Sequence, residues 1–208
     1  MTKSKPTIIC ISGPSGTGKS TLIENLTGSL YIKGLRPVVM MSPARKFIKK
    51  RVSDLRQDAA AYLIKQMQII DAFIARDEKI DLNSKNIYIF DRSMLDNLVY
   101  YLLYVNVSEL SEEDMHVYDR IGLAICDYIH SFNMLFEPYY YLTAPIFGKK
   151  VKDDKIRPLD LLKVQNKEFD TFLQSATSLN ITPRIIYEED FFTFNKIVYD
   201  EAIKNHKN

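Results

Sequence analysis

The segment Gly13-Pro14-Ser15-Gly16-Thr17-Gly18-Lys19-Ser20 constrains this chain more than any other part of it. It fills the pattern G-x-x-x-x-G-K-[ST] at every fixed position. An apolar, β-branched run (Thr7 to Ser12) precedes it, and a helical repeat follows it, with Leu22, Leu26 and Leu30 four residues apart. That strand–turn–helix context is the one in which backbone N–H groups converge on phosphate oxygens. The positive end of the helix dipole adds to them. Lys19 reaches the β- and γ-phosphates, and Ser20 offers a hydroxyl to magnesium. The candidate residues for binding ATP with Mg2+ are Gly13, Ser15, Gly16, Thr17, Gly18, Lys19, Ser20 and Thr21.

The rest of the chain alternates in type. Gly34 marks the stop of the first helix. Short apolar runs at Pro37–Met41, Ile87–Phe90, Tyr139–Leu142 and Arg184–Tyr187 read as further strands. Helical spacing predicts two helices between Lys46 and Arg76, with Leu63, Met67, Ile70 and Ile74 on one face. More helices are predicted over Met94–Tyr104, Glu112–Met134 (opened by Ser111 with Asp114), Leu159–Leu179 and Phe191–Lys204. Strands alternating with helices imply βαβ crossovers, hence an α/β fold with a parallel sheet between two helical layers. No linker, repeat or low-complexity tract divides the sequence, so residues 1–208 read as a single domain.

Charge and cysteines narrow the function. Against 28 basic residues stand 26 acidic ones, and a net charge of +2 is too small to imply nucleic-acid binding. No apolar stretch reaches membrane-spanning length, and Met1–Lys5 lacks a signal-peptide core. Cys10 and Cys126 form no metal or redox motif. Cys10, inside an apolar run, reads as a buried thiol of a protein in a reducing cytoplasm. His116, His130 and His206 form no ligand pattern and read as surface residues, and the thirteen tyrosines read mostly as half-buried packing.

Asp91 closes the third strand, on the side where such sheets form their ligand crevice. Its carboxylate either holds the hydration shell of magnesium beside Ser20 or caps the following helix. Arg92 next to it presents a fork to phosphate. The basic cluster Lys149-Lys150…Lys152…Lys155…Arg157 reads as a polar surface loop.

Asp91-Arg92-Ser93…Asp96…Tyr100 resembles the D-R-[YFS]-x-x-[DS]-x-x-x-Y stretch of thymidylate kinases, and deoxynucleoside kinases carry a similar element. The resemblance implies a three-layer P-loop fold with five parallel strands ordered 2-3-1-4-5. It also implies a mobile basic lid at about 146–158 after Tyr139–Pro145, in which Arg157, with Lys149 or Lys155, contacts phosphate. Lys19, Asp91, Arg92 and Arg157 become the candidate catalytic residues, and Arg45, Arg92 and Tyr100 the substrate contacts. Both families place a glutamate before the proline that follows the second strand. Here the place reads Met41-Ser42-Pro43-Ala44-Arg45, with no acid. A hydroxyl acceptor profits from a base, whereas a phosphate acceptor needs cations. The expected reaction is therefore phosphoryl transfer from ATP to a deoxynucleoside monophosphate, a pyrimidine by resemblance.

The layout also resembles nicotinamide riboside kinases, which share an acid-Arg pair after the third strand. A nucleoside or nicotinamide riboside kinase is thus the second reading, followed by a polynucleotide-end kinase or a hydrolysing NTPase. Gln66 and Gln68 lie on the helix that flanks the acceptor base in these kinases, although helix glutamines are more often exposed. Oligomeric state stays open, a homodimer included.

Overall fold

The computed structural model describes residues 5–47, 59–145 and 161–206. β1 (Thr7–Ser12) is buried along its whole length, as a strand flanked on both sides and covered on both faces must be. It pairs in parallel with β3 (Ile87–Asp91) and with β4 (Tyr139–Thr143). β2 (Val38–Met40) extends the sheet beyond β3, and β5 (Arg184–Ile186) extends it beyond β4, both in parallel. The order is β2-β3-β1-β4-β5, as the resemblance implied.

The two faces of β1 enter different cores. Ile9 and Ile11 join Leu22, Ile23, Leu26 and Leu30 of α1 (Lys19–Ile32) with Phe194 and Val198 of α6 (Phe191–His206). Ile8 and Cys10 join the larger cluster, built from α2 (Ala59–Asp77), α3 (Met94–Tyr104), α4 (Glu112–Phe136) and α5 (Leu161–Ser178). Cys10 is fully buried there, and desolvation pushes its thiol far above the ordinary range. His116 and His130 are exposed.

Local signals explain most helix ends. Gly34, at φ +79°, stands just past α1, where the amides of Lys33, Gly34 and Leu35 fold back onto carbonyls of its last turn. Ser111 caps α4 by accepting the Asp114 amide at 3.1 Å.

The segment after β2 is a short 3-10 turn, Pro43–Lys46, followed among the described residues by α2; of the two helices expected between Lys46 and Arg76, the part over 48–58 lies outside the described residues. One expectation needs correcting. The buried stripe of α2 is Leu63, Gln66, Ile69, Phe73 and Arg76, while Met67 is half exposed. Reading only apolar positions shifted the face, because two of the buried residues are polar.

Candidate active site

The loop between β1 and α1 owes its shape to residues that stand against it. Gly13 has φ +135°, and a Cβ there would lie 2.3 Å from Thr143 Oγ1 and 2.8 Å from the Thr143 carbonyl, so only glycine fits. Thr17, fully buried, donates to the Pro14 carbonyl (2.8 Å) and lies 2.6 Å from Thr143 Oγ1. Its hydroxyl therefore braces the loop against β4. Gly18, at φ +81°, is the N-cap of α1 and supplies no side-chain cap, and the first turn holds no acidic residue. No side chain therefore caps the first amides of α1, the arrangement in which a helix start suits an anion.

Lys19 is buried. Its Nζ folds back, donating to the Gly13 carbonyl at 2.7 Å and to the Pro14 carbonyl. Burial first, and then the Arg92 guanidinium, lower its pKa to about 7, against the pull of Asp96, Glu168 and Asp91. Ser20 and Thr21, one residue further on, are exposed.

At the end of β3, Asp91 is buried, and the Arg92 amide donates to the Ile11 carbonyl (3.1 Å), which ties this strand end to the loop. The N-cap of α3 is Ser93. Its Oγ accepts the Leu95 amide (3.2 Å), while Asp96 Oδ2 accepts the Ser93 amide (2.9 Å). That removes the capping role from Asp91. Asp96 also accepts the Ser12 hydroxyl at 2.6 Å and so fastens α3 to the last residue of β1. Burial raises its pKa even though Arg92 and these hydrogen bonds oppose it.

Arg92 adopts φ +70°, a strained conformation for a residue with a side chain. Arg76 holds it there, donating from Nη1 to the Arg92 carbonyl (2.8 Å). The Arg76 guanidinium is itself wedged 4.7 Å from the Phe73 ring and 4.4 Å from the Phe90 ring, and it is paired with Asp77 (2.7 Å). Burial opposes the charge of Arg92, but Tyr100, Asp96 and Asp91 hold its pKa above the usual range. Its guanidinium lies 5.1 Å from the Tyr100 ring, and its Nε has no hydrogen-bond partner among the described residues. Burial pushes the Tyr100 hydroxyl up to about 12, with Arg92 pulling the other way.

Loop residues, Asp91, Arg92 and Tyr100 thus gather at the carboxyl ends of β1 and β3. Arg45 lies in the 3-10 turn after β2; its side chain, like all of the 146–158 segment with Arg157, is outside the described residues. Sequence reading assigned no role to Thr143, Asp96, Arg76, Gln165 or Glu168. Only Asp96 left a usable signal, as the third residue after a serine cap. Gln66 is a further correction: it is buried, while Gln68 is exposed. Among the described residues no three His, Cys, Asp or Glu form a metal cluster. One hydroxyl and one carboxylate do fit magnesium, which keeps several waters and is otherwise held through phosphates.

A family model described as AAA domain matches residues 8–186, and the chain belongs to that family. No curated protein matches it. Among solved structures it is similar to NadR in complex with NAD and AMP-PNP, at a TM-score of 0.54 and 14% identity, covering 88% of this chain and 43% of that one. The chain thus spans less than half of that relative's length. It is also similar to the thymidylate kinase of Candida albicans, at a TM-score of 0.54 and 15% identity, covering 97% and 94% of the two chains. At such identities the likeness is one of fold: a P-loop kinase fold of the thymidylate kinase type. Among the described residues no helix is long and apolar enough to cross a membrane.

Proposed function

We propose that this chain is an ATP-dependent kinase, one domain over 1–208, that transfers the γ-phosphoryl group to a deoxynucleoside monophosphate in the cytoplasm. The observation that carries the reading is an uncapped helix start with Lys19 beside it in the loop and Arg92 tied to the adjoining strand end. Phosphoryl transfer asks for positioned positive charge far more than for covalent chemistry. The amides of Gly16 to Thr21 cradle the triphosphate, and Lys19 swings from the Gly13 and Pro14 carbonyls onto its outer phosphates. Ser20 and Asp91 are the residues to hold magnesium, which supplies charge neutralisation on the phosphate oxygens. Arg92, with Arg45 and the basic segment up to Arg157, receives the acceptor phosphate, and Tyr100 lines the acceptor side. Support for a phosphate acceptor comes from Arg92, a cation with an unsatisfied donor, and from the lack of an acid between Met41 and Arg45.

A second reading keeps the fold and changes the acceptor. The likeness to NadR, bound to NAD and an ATP analogue, favours a nucleoside or nicotinamide riboside kinase in which Asp91 is the base. The experiment is phosphoryl transfer from ATP to a panel of nucleosides, deoxynucleoside monophosphates and oligonucleotides at equal concentration. A monophosphate is expected to react at least about a hundredfold faster than its nucleoside, the equivalent of losing roughly 3 kcal/mol of charge-assisted contacts. A faster nucleoside gives the second reading its place.

A further inference from the structure

Two buried acids on helices reach the phosphate loop or the strand that leads into it, and they differ in what their oxygens hold. Glu168 of α5, 2% exposed, is satisfied by the chain itself. Its Oε2 accepts the Ser15 amide (3.0 Å) and the Tyr100 hydroxyl (3.4 Å), and its Oε1 accepts the Tyr104 hydroxyl (2.6 Å). Gln165, one turn earlier, donates to the Ser15 carbonyl (2.8 Å). Asp96 of α3, 1% exposed, uses only one of its oxygens. Oδ2 accepts the Ser12 hydroxyl and the Ser93 amide, while Oδ1 is buried with no hydrogen-bond partner among the described residues. A buried carboxylate oxygen without a donor is costly, and capping α3 does not call for it, because Oδ2 alone makes the cap.

The bonds of Asp96 fix where it stands. Ser12 ends β1, and Ser93 follows the end of β3 by two residues. Asp96 therefore lies between the carboxyl ends of the two central strands, where open parallel sheets hold their ligands. Arg92 and Lys19 are the cations that favour its ionised form. Arg92 also brings to this crevice an Nε that lacks an acceptor among the described residues. The crevice thus offers one donor and one acceptor. A bare phosphate suits the donor and is repelled by the carboxylate. A ligand that suits both carries a phosphate and, a few bonds away, a hydroxyl.

We propose that Asp96 Oδ1 accepts a sugar hydroxyl of the acceptor while Arg92 Nε donates to its phosphate, which makes Asp96 the specificity-determining residue for a sugar phosphate with a free hydroxyl. The proposal rests on the reading of this site as that of a monophosphate kinase. In a deoxynucleoside 5′-monophosphate the free sugar hydroxyl is the 3′-hydroxyl, so that is the group read.

The test is steady-state phosphoryl transfer from ATP by the full chain to thymidine monophosphate and to its 3′-deoxy analogue. Wild type is expected to favour the hydroxyl-bearing acceptor about thirtyfold in kcat/KM, the equivalent of about 2 kcal/mol, the size of a hydrogen bond to a charged group. Asp96→Asn keeps a carbonyl oxygen for Ser12 and Ser93 and puts an amide donor where Oδ1 stood. The ratio is then expected to fall to about threefold or less. A merely structural Asp96 lowers both rates alike and leaves the ratio intact, which overturns the proposal. A ratio that survives while the magnesium requirement rises overturns it too, since the carboxylate then serves the metal. So does a wild-type ratio near one, the result that a water bridging Arg92 and Asp96 would give. If Asp96→Asn does not fold, Asp96→Ser, which withdraws the carboxyl altogether, decides by the same ratio. Wild type that phosphorylates no monophosphate overturns both this proposal and the reading it rests on.

Discussion

The two sides of the central sheet are built from different materials. Toward α1 and α6, every buried residue of the two helices among the described ones is apolar except Lys19. Toward α2, α3 and α5 the interior holds Gln66, Arg76, Asp77, Asp96, Gln165 and Glu168, all under one-tenth exposed. An apolar face needs only area and fit. A face with buried charge is stable only when each group has its partner in place, and such networks fix one geometry at the risk of a large penalty if broken. Here the partners lead to the loop: Arg76 to the Arg92 carbonyl, Asp96 to Ser12, and Glu168 to Ser15. One side supplies stability, and the other aims the groups that the proposed chemistry needs.

The largest expected effect lies at the loop, where the sides meet. Lys19→Ala should lower phosphoryl transfer by at least about a thousandfold, and Arg92→Ala by about a hundredfold, with far-ultraviolet dichroism unchanged in both. Near-wild-type turnover in Lys19→Ala would end the kinase reading altogether.

The comparison itself breaks or holds on a pair of core variants. Arg76→Met strands Asp77, whose carboxyl burial already raises despite its partner. It should cost about 3 kcal/mol or more of stability and also reduce turnover, since Arg92 loses the donor that holds it. Leu26→Ala, on the apolar side, should cost a similar 2–5 kcal/mol in denaturant titrations. Turnover of the folded fraction should stay within about twofold of wild type, well under the 1.4 kcal/mol of a tenfold change. Equal losses of turnover would show that the two sides do not divide the work.

The smallest effect sharpens the picture of Lys19. Its pKa of about 7 lies below the ordinary 10.5, so the unfolded chain binds more protons between these values. Stability contributed by this residue should therefore rise with pH across that window, because the cost of a buried ammonium is fully present only below about pH 7. Phosphates restore the charge, so AMP-PNP binding at pH 8 should take up most of one proton. Calorimetry in two buffers of different ionisation enthalpy reads that uptake, and Lys19→Ala should show none.

The sequence alone determined the strands, their alternation with helices and the loop, because these depend on local spacing: β-branched runs, leucines four apart and glycines at a fixed interval. It also located Asp91 and Arg92, since a strand end is a local feature. Tertiary structure decided which polar residues are buried and what they hold. Ser12 and Asp96 are 84 positions apart, and Ser15 and Glu168 are 153 apart. Gln165 and Glu168 carry no signal of burial in the sequence, and Gln66 reads as an ordinary surface glutamine. Whether such a side chain meets water or a backbone amide depends on what packs against its helix. No spacing along the chain records a contact between two segments that only the folded sheet brings together.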